Sequence, residues 1–351
     1  MAATPNKDFY CSNENYATAK EKIFAKTWHY IGAKSEYAEN NYLYPVKLLE
    51  NCLDEPLLLS SDSEGNKKLI SNVCTHRGFI LVEEPVAAGT IRCRYHGRCF
   101  EPGGRFVSMP EFEDAENFPT RMDDLATAKL EEWHGFYFAS LFAEISLAEL
   151  FKGIDERLSF FPFKELKYKP ELSKNYFIQA NWALYCDNYL EGFHIPFVHK
   201  SLNKVIDYNH YETLLFDYCN LQIGIARGDE MTFNLPANSP DFGKKVAAYY
   251  YWIFPNMMMN FYPWGLSLNI IRPQAVDKTE ISFLTFVADE EKYNRGAGSD
   301  LNRVEMEDEE VVESVQKGLR SRLYSRGRYS PKMEKGVHHF HLLMQDFMSA
   351  E

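Results

Sequence analysis

The chain lacks any run approaching ~18 uninterrupted apolar residues, and Met1 to Tyr10 holds no basic region followed by an apolar stretch. Neither a membrane span nor a secretory leader is expected, and the reading is of a soluble, cytoplasmic protein. It also lacks basic excess: 38 Lys and Arg stand against 50 Asp and Glu, a formal charge of −12. Nucleic acid and anionic membrane surfaces both want clustered Lys and Arg, so neither is expected as a partner. No G-x-G-x-x-G follows a strand and no C-x4-C-x2-C occurs, so nothing in the chain binds nicotinamide, flavin or a plant-type cluster. Cysteine shows no disulfide rhythm. Seven are present, an odd and scattered set (Cys11, Cys52, Cys74, Cys93, Cys99, Cys186 and Cys219), as expected in a reducing compartment. What remains is globular: 351 residues, enough for about two domains at ~150 each, with 45% hydrophobic and 15% aromatic content to fill two cores.

Four of those residues carry the strongest signal. Cys74 and His76 lie in Cys74-Thr75-His76-Arg77-Gly78, and Cys93 and His96 in Cys93-Arg94-Tyr95-His96-Gly97. Each arm supplies one thiolate and one imidazole. A Rieske-type [2Fe-2S] cluster needs that stoichiometry, since two Cys hold one iron and two His the other. The numbering advances by 93 − 76 = 17 between the arms, room for a strand and turn to bring them together. Gly78 and Gly97 follow the ligands where tight turns over the sulfurs need them. The rivals are structural zinc, which usually pairs Cys with Cys and His with His on separate arms, and unrelated buried residues. Cys99 reads as a buried hydrophobe and not a fifth ligand.

Short apolar runs punctuated by Gly, Pro and Asn predict strands at 44–49, 56–60, 68–73, 90–93 and 135–139. After Ser146 the pattern changes to a helix at 147–152, a Phe- and Pro-rich linker and a long mixed region. Strands are expected at 247–254, 266–271 and 280–288, with turns at Pro255-Asn256 and Pro263-Trp264-Gly265 and an antiparallel sheet as the result. Helices are expected at 13–25, 181–195 and 302–325. The domain boundaries are set at 1–27 (helical segment), 28–145 and 146–351.

Two of those helices hold unusual polar residues. On the first, Leu184, Asp187, Glu191 and His194 recur at helical steps, a stripe of two carboxylates and an imidazole that is costly to bury unpaired. Pro196 should turn the chain and swing His199 back toward His194. On the second, Asp308 falls in the seam of Val304, Val311, Val315 and Leu319, where an acid needs a cation. Two His and one carboxylate with open positions describe the facial triad of non-haem Fe(II) enzymes, so His194, His199 and Asp308 are the candidates. A wet helix face and an exposed ion pair are the bland alternatives.

The two arms, with Tyr95-His96-Gly97 and Gly103-Gly104, resemble the Rieske domain of ring-hydroxylating and related oxygenase alpha subunits. Phe79 and Tyr95 stand where respiratory Rieske proteins carry extra disulfide Cys. Arg98 departs from the Trp usual after His-Gly. Asp187-Asn188-Tyr189-Leu190-Glu191-Gly192-Phe193-His194 through His199 resembles the family's catalytic motif, and the segment 307–319 its third-ligand region. The resemblance implies an α+β architecture: an all-β Rieske domain plus a catalytic domain whose central antiparallel sheet is flanked by helices, of the helix-grip, START-like kind. It implies a [2Fe-2S] cluster on Cys74, His76, Cys93 and His96 and a mononuclear Fe(II) on His194, His199 and Asp308. It implies Glu191 as the carboxylate bridging to a Rieske His of a neighbouring subunit in a head-to-tail homotrimer, with Asp187 and Asn188 in the catalytic motif. The expected partners are O2, a small-molecule substrate and a separate reductase or ferredoxin.

Glu191, where many aromatic-ring dioxygenases have Asp, leans the reading toward the choline, carnitine and quaternary-amine branch. Hydroxylation leading to N-demethylation or C–N cleavage is the expected reaction. The alternatives are an aromatic-ring dioxygenase and, in another class, a Rieske electron carrier without mononuclear iron. Tyr249, Tyr250, Tyr251, Trp252, Phe254, Phe261, Tyr262 and Trp264 could cage a methylammonium group or simply fill a core. His338, His339 and His341 read as terminal packing or an oligomer contact.

Overall fold

A computed structural model describes residues 3–350, which fall into two compact units: Ala25–Glu144, and the chain on either side of it. The first unit is all-β. Its strands are β1 (His29–Ala33), β2 (Tyr42–Leu48), β3 (Glu55–Ser61), β4 (Lys67–Ser71), β5 (Val86–Ala87), β6 (Ile91–Arg92), β7 (Cys99–Phe100), β8 (Phe106–Ser108), β9 (Thr127–Trp133) and β10 (Phe136–Ser140). Seven pair antiparallel in the order β1-β10-β9-β4-β3-β2-β5, and β6-β7-β8 form a second sheet.

The apolar run in β3 explains why this unit holds together. Successive side chains of a strand point to opposite faces. Leu58 therefore packs with Leu43, Ile70, Cys74 and Cys93, while Leu57 and Leu59 pack on the other side with Tyr44, Leu48 and Leu69. Each such leucine contributes about 1.5–3 kcal/mol of burial. The strand expected to reach Val73 stops at Ser71. The Asn72 N–H still bonds the Pro56 carbonyl of β3 at 2.9 Å, but its side-chain amide turns to Val82, bonding it through both ends at 2.7 and 2.9 Å, where the first Cys/His loop begins. β9 escaped the hydrophobic pattern because Lys129, Glu131 and Glu132 punctuate it.

The second unit contains α1 (Asp8–Cys11), α2 (Asn13–Lys22), α3 (Leu147–Arg157), β11 (Lys167–Tyr168), β12 (Lys174–Ile178), α4 (Trp182–Tyr189), α5 (Ile195–Val198), α6 (Leu202–Val205), β13 (Glu212–Leu215), β14 (Cys219–Ile225), β15 (Val246–Ile253), β16 (Met257–Tyr262), β17 (Gly265–Ala275), β18 (Lys278–Val287), α7 (Leu301–Leu319) and α8 (Lys335–Ser349). Its antiparallel sheet runs β11-β18-β17-β16-β15-β14-β13, with β12 also on β18. Among the described residues no helix is long and apolar enough to cross a membrane.

Two helix expectations are corrected. The helix expected over 181–195 ends at Tyr189, so Glu191 and His194 share no helical stripe with Asp187. The Glu191 carboxylate accepts from the backbone N–H groups of Phe193 and His194, a local alternative to helical bonding that rolls the chain into a turn. Pro196 then sits in the first turn of α5 and starts a helix instead of breaking one, because its missing N–H is unneeded there. α7 ends at Leu319 and not Ser325. Its inward face is Glu305, Val312, Gln316 and Leu319, while Val315 is 43% exposed. The true seam steps by seven, four and three, but Glu305 and Gln316 disguise it as polar.

Candidate active site and metal centres

In the first unit, two matching turns present the Cys/His ligands. The N–H of Gly78 donates to the Cys74 carbonyl at 2.9 Å and that of Gly97 to the Cys93 carbonyl at 3.0 Å. Both glycines hold positive φ, +72° and +77°, a conformation that a side chain would strain. Cys74 and Cys93 are buried, whereas His76 is half-buried and His96 exposed. The imidazole Nδ1 atoms stand 3.2 Å apart. Burial and the adjacent Cys93 thiol raise the Cys74 pKa; burial and the neighbouring His96 lower that of His76. Like ligands are thus crowded pairwise, thiol on thiol inside and imidazole on imidazole outside.

Beneath these loops lies Arg98, 2% exposed. Its guanidinium donates to Asp123 at 2.5 Å and lies 4.9 Å from the Phe106 ring centre, with Phe118 and Phe100 at 5.5 and 5.8 Å. The planar cation lies among three aromatic rings, over which its charge is favoured.

In the second unit, α4, the α5 turn and α7 bring three ligand atoms together. Asn181 caps α4 by accepting from the Ala183 N–H at 2.9 Å, and its own N–H donates to Gln316 of α7 at 2.8 Å. That docking fixes the two helices. His194 Nδ1 lies 2.7 Å from Glu191 Oε1, and His199 Nδ1 2.8 Å from Glu307 Oε2. A carboxylate accepts, so each ring carries its proton on Nδ1 and turns a bare Nε2 inward. Those two Nε2 atoms are 3.1 Å apart, and Asp308 Oδ1 sits 3.0 Å from one and 3.5 Å from the other. Asn188 steadies Asp308 with a 2.6 Å amide bond. Two imidazole Nε2 atoms and a carboxylate oxygen aimed at one point are a donor set that fits a metal ion. Burial lowers the His199 pKa, but Asp308 and Glu307 outweigh it, and the net shift is upward.

Among the described residues, the three ligand atoms drawn within 4.8 Å of one another are those of His194, His199 and Asp308. The Cys74, His76, Cys93 and His96 quartet does not close on one point as tetrahedral zinc requires. Two pairs suit a two-iron cluster instead.

A cavity of about 100 Å³ opens beside the triad. Gln222, Tyr250, Asn260 and Ser267 occupy consecutive register positions across β14, β15, β16 and β17 and form its floor. Tyr185, Tyr189, Tyr211 and Tyr262 wall it.

Family models match both units: a Rieske [2Fe-2S] domain over residues 27–119, and the ring hydroxylating alpha subunit (catalytic domain) over 163–350. The chain belongs to the ring-hydroxylating alpha-subunit family. It is 27% identical to the chloroplastic choline monooxygenase of Arabidopsis thaliana, covering 98% of this chain and 82% of that protein. It is 28% identical to the carnitine monooxygenase oxygenase subunit of Escherichia coli, over 96% and 91%. A solved quaternary ammonium Rieske monooxygenase superposes with a TM-score of 0.80 at 26% identity, covering 99% of this chain and 96% of that one. Alpha subunits of this kind carry a Rieske cluster and a mononuclear iron, and act on a small substrate with O2 and an external electron donor.

Within this alpha subunit, Glu191, Asn188, His194, His199 and Asp308 border the cavity, but Asp187 does not. Asp187 accepts from the Tyr10 hydroxyl at 2.6 Å and faces His341 Nε2 at 3.0 Å, and His341 Nδ1 meets the Tyr329 hydroxyl at 2.6 Å. It joins α4 to α1 and α8. His339 bonds Asn220 at 2.8 Å, so the His cluster divides between internal contacts. Of the aromatic run, Tyr250 and Tyr262 face the cavity; Tyr249 and Tyr251 point through the other face of the sheet, to Asp241 and the Gly153 carbonyl. Sequence reasoning missed Glu305, Glu307 as the partner of His199, and the floor residues. A lone polar residue at alternate positions of an apolar strand, such as Asn260 after three methionines, was the available signal.

Proposed function

We propose that this chain is the terminal oxygenase of a quaternary-amine monooxygenase system, taking electrons from a separate reductase or ferredoxin and hydroxylating its substrate toward N-demethylation or C–N cleavage. The observation that carries the reading is the His194, His199 and Asp308 convergence on the wall of a small cavity walled by tyrosines. When bound, the cluster passes single electrons and the mononuclear iron activates O2 for the hydroxylation. The triad residues and the four Cys/His residues are the proposed ligands of those groups. Glu191 and Glu307 hold the two imidazoles in one tautomer and one orientation, a coupling that commonly matters 10–100-fold. Asn188 fixes the Asp308 rotamer. The tyrosine faces attract a methylammonium group, and the buried polar floor disfavours a wholly apolar aromatic ring.

The working assembly in this reading is a cytoplasmic head-to-tail homotrimer, in which Glu191 bonds His76 or His96 of the partner subunit and so joins the two metal centres. Phe193 and Phe197, 42% and 75% exposed beside Glu191, support an apolar contact there. The test is turnover by the iron-loaded enzyme with a surrogate reductase and labelled O2, offered choline, L-carnitine or benzoate. Label in an aldehyde or alcohol product from a quaternary amine is expected; a labelled diol from benzoate alone would overturn the proposal.

A further inference from the structure

The catalytic constellation leaves one acid on the cavity wall without a task. Glu305, on α7 one turn before Asp308, is 2% exposed and borders the cavity. One carboxylate oxygen accepts from the Tyr185 hydroxyl. The other, Oε1, is shielded from solvent and bonds to nothing in the described chain. A buried, half-satisfied carboxylate is costly unless a charge pairs with it. It is not in the ligand triad.

Two further facts say what would pair with it. Among the described residues bordering the cavity none is Lys or Arg, while Glu191, Glu305 and Asp308 are all acids. A second buried acceptor, Gln222 Oε1 on the sheet floor, also lacks a partner. The cavity therefore offers an unpaired carboxyl oxygen on its helix wall, an unpaired acceptor on its floor and tyrosine side chains on its walls. Outside the proposed metal triad, its described lining supplies no side-chain cation for an incoming anion.

We propose that Glu305, held by Tyr185, is the counter-ion for the substrate's ammonium group, and that the cavity takes a small hydroxyl-bearing monocation in preference to a zwitterion with its own carboxylate. This rests on the quaternary-amine reading above. The ammonium pairs with Glu305 Oε1 against the ring faces, and a substrate hydroxyl donates to Gln222 Oε1. Away from the metal triad, a substrate carboxylate would meet no Lys or Arg and would face Glu305 and Glu191. Burial pushes the Glu305 carboxyl well up from the ordinary range, opposed by the Tyr185 bond and reinforced by Asp308; a bound cation favours the ionised form.

The experiment is anaerobic calorimetric titration of the iron-loaded full-length enzyme with choline, its uncharged carbon isostere 3,3-dimethylbutan-1-ol, and L-carnitine. Wild type is expected to bind choline more than about tenfold tighter than either of the others, roughly 1.4 kcal/mol. Glu305→Gln is expected to bring choline down to the isostere's affinity and leave the isostere unmoved. Glu305→Asp, which keeps the charge, is expected to keep the preference. A Gln variant that still prefers choline, or an Asp variant that does not, overturns the counter-ion assignment. L-Carnitine binding wild type as tightly as choline overturns the monocation claim with no variant needed. Failure of both quaternary amines to bind wild type brings down the proposed function itself, whereas binding and turnover without any effect of Glu305→Gln bring down only this inference.

Discussion

The protein's two histidine pairs differ in what stands behind them. His194 and His199 each press Nδ1 against a carboxylate of their own chain, at 2.7 and 2.8 Å, and aim Nε2 inward. His76 and His96 turn their Nδ1 atoms toward each other at 3.2 Å, and among the described residues no carboxylate pairs with either ring. One centre is oriented from within. The other has no such support within the chain, and it is there that the proposed trimer would bring Glu191 of the partner subunit.

The largest expected effect comes from removing a proposed ligand on either side. Asp308→Ala should abolish turnover and mononuclear iron while leaving the visible spectrum of the [2Fe-2S] cluster intact, and Cys93→Ser should do the reverse, as checked by metal analysis and absorption. Co-assembled, these two inactive variants should regain activity if electrons cross between subunits; inactive mixed assemblies would break the comparison. Next, Glu307→Gln should cost about 10–100-fold in iron affinity or activity, read by chelator competition, whereas His76 and His96 have no such carboxylate support to lose.

A smaller effect is expected in the first unit. Arg98→Met should cost roughly 2 kcal/mol in denaturant titrations by stripping Asp123 of its buried donor. Asp123, whose pKa is held down by the Thr120 N–H and Arg98 against the opposing effect of burial, would then be easier to protonate.

The smallest concerns Glu305. Its folded pKa is raised, so the folded state binds the proton more tightly than the unfolded state. Stability from this group is complete below the unfolded value near 4.5 and is lost as pH rises toward the folded value. Glu305→Gln removes that loss, so the variant should match wild type near pH 4 and exceed it at pH 8, measured by melting across pH. A variant less stable at every pH would mean that Glu305 is structural.

The same contrast explains what the sequence made legible. Each Cys/His arm is closed by a local turn, so spacing alone exposed it. The triad spans 308 − 194 = 114 positions, and its local geometry depends on where a helix stops. Hydrophobic periodicity carried the first helix through Glu191 to Ile195, because it does not register a carboxylate that bonds the next two backbone amides. It rotated α7 by about one residue, because buried Glu305 and Gln316 read as solvent-facing. The sheet was legible in β15, β17 and β18. β16 was read as the space between turns, and β13 and β14 were not separated from the mixed region. Residue spacing offered the candidate ligands, family resemblance favoured them over the bland alternatives, and the side-chain geometry then supplied Glu307, Glu305 and the cavity floor.

The most direct test of a two-centre oxygenase is electron paramagnetic resonance of the anaerobically reduced, iron-loaded enzyme exposed to nitric oxide, for wild type beside Asp308→Ala. The account predicts a Rieske signal in both proteins, and an iron–nitrosyl signal in wild type alone that choline perturbs. An iron–nitrosyl signal that survives in Asp308→Ala, or its absence from iron-replete wild type, would contradict it.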